Sequence, residues 1–495
     1  MTADDNGSLA SRLVNGLKAT LVARALWIGS NVLLITLLTR IFLSPSGFGQ
    51  LFFALSILGV VRIFATLGLP KSTARYVNEF AETNESQVRH VMRSSVIVTG
   101  VLVGTASIVI AAGSELFANL LGQPDVAPFL LVGAAYVSVR SATGYLGTLF
   151  QGFNRVTMSA VLTSISSVGR VAFGIGFVVA GFGAVGVLLG YVVGNALASA
   201  VGAVVLYRDH YMQFDGTAKA EEGLYRRLLS YSIPLTVTKG ANALDKRVDT
   251  ILVGTLLNPT AVGFYVIAKQ ISDVLSAPAA SFGFTVSPAY NEQKASDQQA
   301  RAARLYQHAL RYVLIFYIPA CAGLVLVATP TVEFVFGRDY LPAVPVVQVF
   351  AGFVLVNAVN KITNDGLDYL GRARSRAYIQ TGTAVGNFLL NLALIPTIGV
   401  VGAAVATVVT YTLLTAGNIY FIHQELSIRF MPVVRDISIV CLITAAMVGS
   451  VVVAIPYVSG PVTLAGVVLL GGGVWSILTV LSGVVDFRRL VSILL

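Results

Sequence analysis

The chain has 495 residues, 56% of them hydrophobic and only 11% charged, where a soluble protein carries about a quarter charged residues. That balance excludes a soluble globular protein. The formal net charge of +10 does not mark a nucleic-acid binder, because no long soluble basic domain carries it; the surplus reads as membrane topology plus a cationic interior.

The start, MTADDNGSLASRLVNGLKATLV, opens acidic and lacks the short apolar core and small-residue cleavage site of a signal peptide. Residues 8–22 suit a short interfacial helix. Apolar windows of about 20 residues then recur to the end, each long enough to cross hydrocarbon as a helix. They fall near 19–41, 51–70, 94–113, 127–149, 157–180, 184–206, 228–256, 261–289, 307–329, 342–369, 376–396, 400–422, 436–455 and 462–483. The runs are continuous and rich in Leu, Val, Ala and Gly, whereas barrel strands alternate over about ten residues. The expected class is an all-α integral membrane protein of about fourteen transmembrane helices. Cys321 and Cys441 both fall inside apolar runs, where buried packing is expected; they form no disulfide framework and no metal spacing.

The connections alternate in charge. GFGAVG, LNPTAVG, PTIGVVG and YVSGP carry no Lys or Arg. The others hold Lys71, Arg75, Arg89 and Arg93, then Arg208, Lys219, Arg226 and Arg227, then Lys294, Arg301, Arg304 and Arg311, then Arg372, Arg374 and Arg376. About 22 cations flank one side and about two the other, and short loops rich in Lys and Arg stay cytoplasmic. Both termini are therefore expected in the cytoplasm, in a multi-pass protein of the plasma membrane. No loop is long enough for a soluble catalytic domain.

The chain also repeats itself. LSPSGFGQLFFA (43–54) matches LNPTAVGFYVIA (257–268), FANLLGQP (117–124) aligns with VEFVFGRD (332–339), QGFNR (151–155) with LGRAR (370–374), and GFGAVG (181–186) with TIGVVG (397–402). Four matches in one order at an offset of about 215 residues indicate a duplicated unit of six spans. An even number of spans gives both copies the same orientation, as in parallel-repeat transporters. The expected organisation is a cytoplasmic N-terminus (1–18), a first lobe with spans 1–6 (19–207), a cytoplasmic linker (208–227), a second lobe with spans 7–12 (228–423), and spans 13–14 with a cytoplasmic C-terminus (424–495).

LLTRIFLSPSGFGQLFFALS, VDTILVGTLLNPTAVGFYVIAKQIS and LDYLGRARSRAY resemble the corresponding segments of polysaccharide flippases of the multidrug/oligosaccharidyl-lipid/polysaccharide exporter superfamily. The resemblance covers nearly the whole chain. It implies two pseudo-symmetric six-helix bundles facing each other in a V, plus two C-terminal helices. It also implies a cargo: a sugar or oligosaccharide linked to polyprenyl or dolichyl phosphate, moved from the cytoplasmic to the outer leaflet.

The residues carry their own argument. Apart from Arg40, Arg311 and Arg376 near span ends, nine cations lie inside the expected spans: Arg24, Arg62, Arg140, Arg170, Lys239, Lys246, Arg247, Lys269 and Lys361. Apart from Asp436 at a span end, five acids accompany them: Asp245, Asp249, Asp273, Asp365 and Asp368. Each charge facing lipid at mid-depth costs about 2.5–3.5 kcal/mol on insertion scales, so these groups are expected to face one another, water or an anionic cargo. At about 100° per residue, Lys239, Asn242, Asp245, Lys246 and Asp249 share one helix face, and Arg247 points elsewhere, toward an expected acid on another helix. Asn357, Asn360, Lys361, Asn364 and Asp368 form a second polar stripe with Asp365 at its edge, and Lys269 and Asp273 are an i, i+4 pair. The first lobe's spans hold Arg24, Arg62, Arg140 and Arg170 and no acid. Unpaired guanidiniums suit a phosphate, which Arg grips bidentately.

The expected substrate site is thus a central cationic cavity of Arg24, Arg62, Arg140, Arg170, Lys239, Asn242, Lys246, Lys269, Asn357, Asn360, Lys361 and Asn364. Asp245, Asp249, Asp273 and Asp365 either balance neighbouring cations or bind a coupling ion. Plainer roles stand beside these. Arg24 can snorkel to headgroups, Arg140 and Arg170 can tie their spans to neighbours, and Lys269–Asp273 and Lys361–Asp365 can be structural pairs. Pro278 and Pro288 suggest kinks in span 8 and a hinge there. No nucleophile–base spacing, phosphate-binding glycine loop, Cys/His cluster or cofactor motif occurs, so a catalytic site, metal and cofactor are not expected. Three functions are weighed: a flippase for lipid-linked glycans, a multidrug/cation antiporter, and a membrane enzyme using a lipid donor. The purely basic first lobe favours the flippase, whose partners are the lipid-linked glycan, membrane lipids and glycan-assembly proteins.

Overall fold

The computed structural model describes residues 3–214, 219–295, 299–369, 372–426, 428 and 431–483. The side chains of residues 3–15, 210, 238, 239, 242, 284–295, 299, 365, 368, 369, 373, 374, 432 and 433 fall outside that description. Among the described residues every regular element is a helix, as an apolar chain with no water to satisfy its backbone requires. The chain divides into two compact units, residues 1–262 and 263–495.

The first unit contains α1 (Ala3–Leu37), α2 (Pro45–Thr66), α3 (Leu69–Thr83), α4 (Glu85–Ala112), α5 (Ser114–Leu120), α6 (Ala127–Gly152), α7 (Val156–Phe177), α8 (Gly183–Leu206) and α9 (Leu224–Leu256). Helix starts follow local chemistry. Ser44 caps α2 by accepting from the Gly47 N–H at 3.3 Å, with Pro45 next to it where no N–H is needed. Between α2 and α3 the chain turns through Leu67 and Gly68, both at positive φ. A side chain on Gly68 would also press on the Ser232 carbonyl of α9.

The tightest contact in this unit is α7 against α8. Gly169 and Gly174 of α7 face Gly190 and Gly194 of α8, backbone to backbone; a Cβ on Gly190 would collide with Gly174. Small residues at such a seam let two helices approach in lipid, where no hydrophobic effect drives them together. Polar contacts fix α6 on the same helix: the Thr143 hydroxyl donates to Asn195 O at 3.0 Å, and the Ser199 hydroxyl to Val139 O at 3.1 Å. One apolar cluster joins Tyr76, Val77 and Phe80 of α3, Val88, Val91 and Met92 of α4, Tyr145, Leu149 and Phe150 of α6, and Leu224 and Leu228 of α9. Helix α9, which opens the second sequence repeat, therefore contributes to the core of the first unit. It packs on α2 and α3.

The second unit contains most of α10 (Pro259–Ala295), then α11 (Gln299–Thr331), α12 (Val344–Tyr369), α13 (Ala373–Ile398), α14 (Val400–Leu426), α15 (Met431–Ala454) and α16 (Pro461–Leu481). α12 and α13 both pack on α14, while α15 and α16 pack on α11. Phe316 and Trp475 join α11 to α16 at a centroid distance of 5.1 Å. In α10 the Tyr317 hydroxyl of α11 donates to Leu275 O at 2.9 Å and accepts from the Ala279 N–H at 3.0 Å. It thus enters the i, i+4 ladder beside Pro278, a position where helices bend.

One expectation changes and one count stays open. Among the described residues eleven segments are apolar and long enough to span a membrane, and one of them, Val156–Asp209, holds both α7 and α8, parted at Gly181 and Gly183. α9 and α10, of 33 and 37 residues, are not among the eleven; they are the helices in which charges interrupt the apolar run. Cys321 is buried, but Cys441 is exposed, because α15 turns Val440, Thr444 and Met447 inward and Cys441 lies off that stripe.

The glycine seam is testable. Gly190→Leu forces overpacking on Gly174 and is expected to destabilise the protein by about 1–3 kcal/mol. Gly176→Leu, where nothing lies within 4 Å, is the control. Thermal unfolding of the purified protein in detergent checks the pair, and equal melting temperatures would refute the seam.

Candidate functional site: a cluster of guanidiniums in the first unit

Four arginines converge in the first unit, carried by four helices: Arg62 on α2, Arg140 on α6, Arg170 on α7 and Arg247 on α9. Arg62 lies close enough to Arg140 and Arg247 for their charges to repel it. Among the described residues no carboxylate stands within ion-pair distance of any of the four. Neutral groups meet them instead.

Arg140 Nη1 reaches Asn195 Oδ1 at 3.5 Å, the outer limit of a hydrogen bond. Asn195 is itself buried and donates from Nδ2 to Tyr191 O at 2.7 Å. Arg170 is 8% exposed and places its guanidinium 5.1 Å from the Tyr191 ring centroid, a cation–π distance. Its Nε and Nη2 have no hydrogen-bond partner among the described residues. Tyr191 and Tyr136 meet edge to face at 6.1 Å, and Tyr136 lies in the electrostatic reach of Arg62 and Arg247. The glycine seam sets this geometry: the Gly194 backbone rests on the Arg170 backbone, which fixes Arg170 beside Tyr191 one helical turn away.

Arg247 finds its partner on another helix, but the partner is not the expected acid. Nη1 donates to Leu55 O of α2 at 2.8 Å. The guanidinium lies over Gly59, where an added Cβ would collide with it. A carbonyl suffices because the missing side chain lets the planar cation reach the α2 backbone.

The other candidates are distributed as follows. Arg24 is exposed on α1 and lines a separate groove of about 340 Å³ with Thr20, Trp27, Gln151, Ser159 and Thr163. On α9, Lys246 is exposed, Asp245 half-buried and Asp249 only 3% exposed; the side chains of Lys239 and Asn242 lie outside the described residues. The polar face expected on this helix therefore spans very different exposures. In the second unit Lys269 is half-buried with Nζ 5.9 Å from the Tyr265 ring centroid, and Asp273 is exposed. Asn357 and Asn360 are buried, and Asn360 Oδ1 accepts from Asn418 Nδ2 at 3.0 Å, so Asn360 binds α12 to α14. Lys361 and Asn364 are half-buried; the side chains of Asp365 and Asp368 lie outside the described residues. Among the described residues no group of His, Cys, Asp and Glu is arranged to hold a metal.

Sequence reasoning ranked charges and so passed over Tyr136, Tyr191 and Asn195. The i, i+4 spacing of Tyr191 and Asn195 in an otherwise apolar helix was the available signal.

Residues 22–292 match the family described as polysaccharide biosynthesis protein, a stretch that includes all four clustered arginines. The chain belongs to that family. It is 22% identical over 388 residues to the probable low-salt glycan biosynthesis flippase Agl15 of Haloferax volcanii, covering 78% of this chain and 79% of that one. It is 24% identical over 336 residues to the probable flippase AglR of the same organism, covering 62% and 65%. Among solved structures its fold is similar to the lipid II flippase MurJ in an inward closed conformation, with a TM-score of 0.76 at 15% identity over 97% of this chain and 100% of that one. It is also similar to an inward-facing multidrug resistance MATE family transporter of the MOP superfamily, with a TM-score of 0.67 at 14% identity over 84% and 98%. The family match places this chain among polysaccharide biosynthesis proteins, and its fold is similar to those of the MurJ flippase and a MATE family transporter.

The Arg247 contact makes a two-residue prediction. Gly59→Ala is expected to lower stability in the parent protein by about 1 kcal/mol and to have a smaller effect in Arg247→Met, because the two positions touch. Unfolding of the four proteins of this double-mutant cycle in detergent checks it; additive effects would refute the contact.

Proposed function

We propose that the protein moves a sugar or oligosaccharide, linked through phosphate to a polyprenyl or dolichyl lipid, from the cytoplasmic to the outer leaflet of the plasma membrane. The observation that carries this reading is the arginine cluster of the first unit, which has no carboxylate within ion-pair distance among the described residues. Buried and half-buried guanidiniums that neutral oxygens and ring faces only partly satisfy attract an oxyanion. A lipid-linked phosphate supplies one, and the isoprenoid tail stays in the bilayer. The name of the Haloferax volcanii relative Agl15, a probable low-salt glycan biosynthesis flippase, supports a glycan cargo. A multidrug or cation antiporter fits the cluster less well, because a cationic cargo would meet like charge; one similar structure is a multidrug resistance MATE family transporter.

In this reading the basic loops hold both termini in the cytoplasm. The two sequence repeats, 19–207 and 228–423, act as the two lobes of an alternating-access cycle, with 208–227 as their linker and 424–495 as an addition. Arg24, at the groove on α1, meets the incoming headgroup, and Arg62, Arg140 and Arg170 receive its anionic groups. Lys239, Asn242, Lys246, Lys269, Asn357, Asn360, Lys361 and Asn364 serve the sugar end, and Asp245, Asp249, Asp273 and Asp365 balance cations or bind a coupling ion. The product feeds surface polysaccharide or glycoprotein assembly, whose glycan-assembly proteins are the natural partners.

Two experiments test the proposal. Lipid-linked glycan exposed on the outer surface is measured in cells carrying Arg62→Ala or Lys269→Ala, with protein level checked. A loss of about tenfold or more is expected from removing a charge-assisted contact to cargo, and normal exposure in both variants would overturn the proposed site. The second concerns bending of α10 at the Tyr317 bridge. Tyr317→Phe and Pro278→Ala are each expected to slow transport while cargo binding persists; unchanged rates in both would remove the hinge from the cycle.

A further inference from the structure

The charge balance of the arginine cluster says something about the cargo itself. Arg62 neighbours Arg140 and Arg247, while Arg140 and Arg170 both meet α8, at Asn195 and at the Tyr191 ring. Tyr136 lies near Arg62 and Arg247 and meets Tyr191 edge to face. The arginines differ in how well they are satisfied. Arg247 has the Leu55 carbonyl at 2.8 Å. Arg140 has one long contact to Asn195, and Arg170 keeps two buried nitrogens without a partner among the described residues.

A sugar joined to a lipid through one phosphodiester brings a single negative charge, and a diphosphate brings about two. A linking phosphate held by Arg62 and Arg247 leaves Arg140 and Arg170 with only Asn195 and the Tyr191 ring. Beside these arginines stand two tyrosines whose ring edges and faces suit the C–H surface of a pyranose and whose hydroxyls suit its oxygens.

We propose that the cargo carries an acidic group, a carboxylate or sulfate, on its sugar portion, and that Arg140 and Arg170 receive this group while Arg62 and Arg247 receive the linking phosphate. The assignment rests on the proposed function, in which this cluster binds a lipid-linked glycan. Tyr136 and Tyr191 space the two anions by holding the sugar between them. Asn195 orients Arg140 from behind, since its amide nitrogen is committed to Tyr191 O and its oxygen is left to face the guanidinium.

The test uses the full-length protein in lipid nanodiscs and three short-chain probes: a polyprenyl phosphate bearing glucose, the same lipid bearing glucuronate, and a polyprenyl diphosphate bearing glucose. Dissociation constants are measured for each. The glucuronate lipid is expected to bind about tenfold or more tightly than the monophosphate glucose lipid, the effect of one charge-assisted pair. Arg170→Gln and Arg140→Gln are expected to bring that ratio close to one, whatever the loss in absolute affinity, and Arg62→Gln to leave the ratio standing. Arg140→Gln reads the same subsite should Arg170→Gln fail to fold. Equal binding of glucose and glucuronate lipids overturns the proposal. So does a diphosphate preference that exceeds the glucuronate preference and disappears in Arg170→Gln, because the second anion is then the second phosphate. Failure of all three lipids to bind instead overturns the underlying assignment of a lipid-linked glycan, and the acidic sugar with it.

Discussion

A guanidinium inside an apolar helical bundle has to be met by something. In this protein the groups that meet it are neutral: a backbone carbonyl for Arg247, a side-chain amide for Arg140, a tyrosine ring for Arg170. Each of these lowers the penalty of burial without cancelling the charge. The first unit therefore holds positive potential in its interior, and the absence of a nearby carboxylate among the described residues is what distinguishes it from a structural ion-pair network. A multidrug resistance MATE family transporter has a similar fold, so the sign of the cluster, rather than the architecture, carries the functional argument.

Holding that charge in place depends on backbone proximity. The glycines of α7 and α8 bring two helices closer than side chains allow, and Arg170 and Tyr191 are neighbours as a result. α6 is fastened to the same α8 by Thr143 and Ser199, which brings Arg140 to Asn195. Gly59 plays the matching role for α9 on α2. In each case the residue without a side chain is as necessary to the site as the residue with a charge.

Much of this was legible in the sequence. Apolar runs gave the helical membrane class, and the acid-free set Arg62, Arg140 and Arg170 pointed to an anionic partner before any contact was known. Periodicity failed where tertiary packing decides. It put Asp245, Lys246 and Asp249 on one face, yet their exposures range from open to buried, because α9 is flanked by α2 and α3 over only part of its surface. It put Asn357 and Asn360 on one polar stripe without showing that both are buried or that the Asn360 side-chain oxygen accepts from Asn418. Arg247 looked like half of an ion pair because a sequence shows side chains and not the carbonyl that a glycine uncovers. Tyr136, Tyr191 and Asn195 carry no charge, and beyond the i, i+4 spacing of Tyr191 and Asn195 the sequence does not mark them; the fold shows that they meet the arginines.

The place of Leu224 and Leu228 in the first unit's core has a consequence for how the chain is made. Those residues belong to α9, which is synthesised after α1 to α8. The ribosome must therefore deliver α9 before the earlier helices can close their core. Until then the apolar faces of α3 and α4 lack part of their cover, and a nascent chain halted after α8 is an unfinished unit.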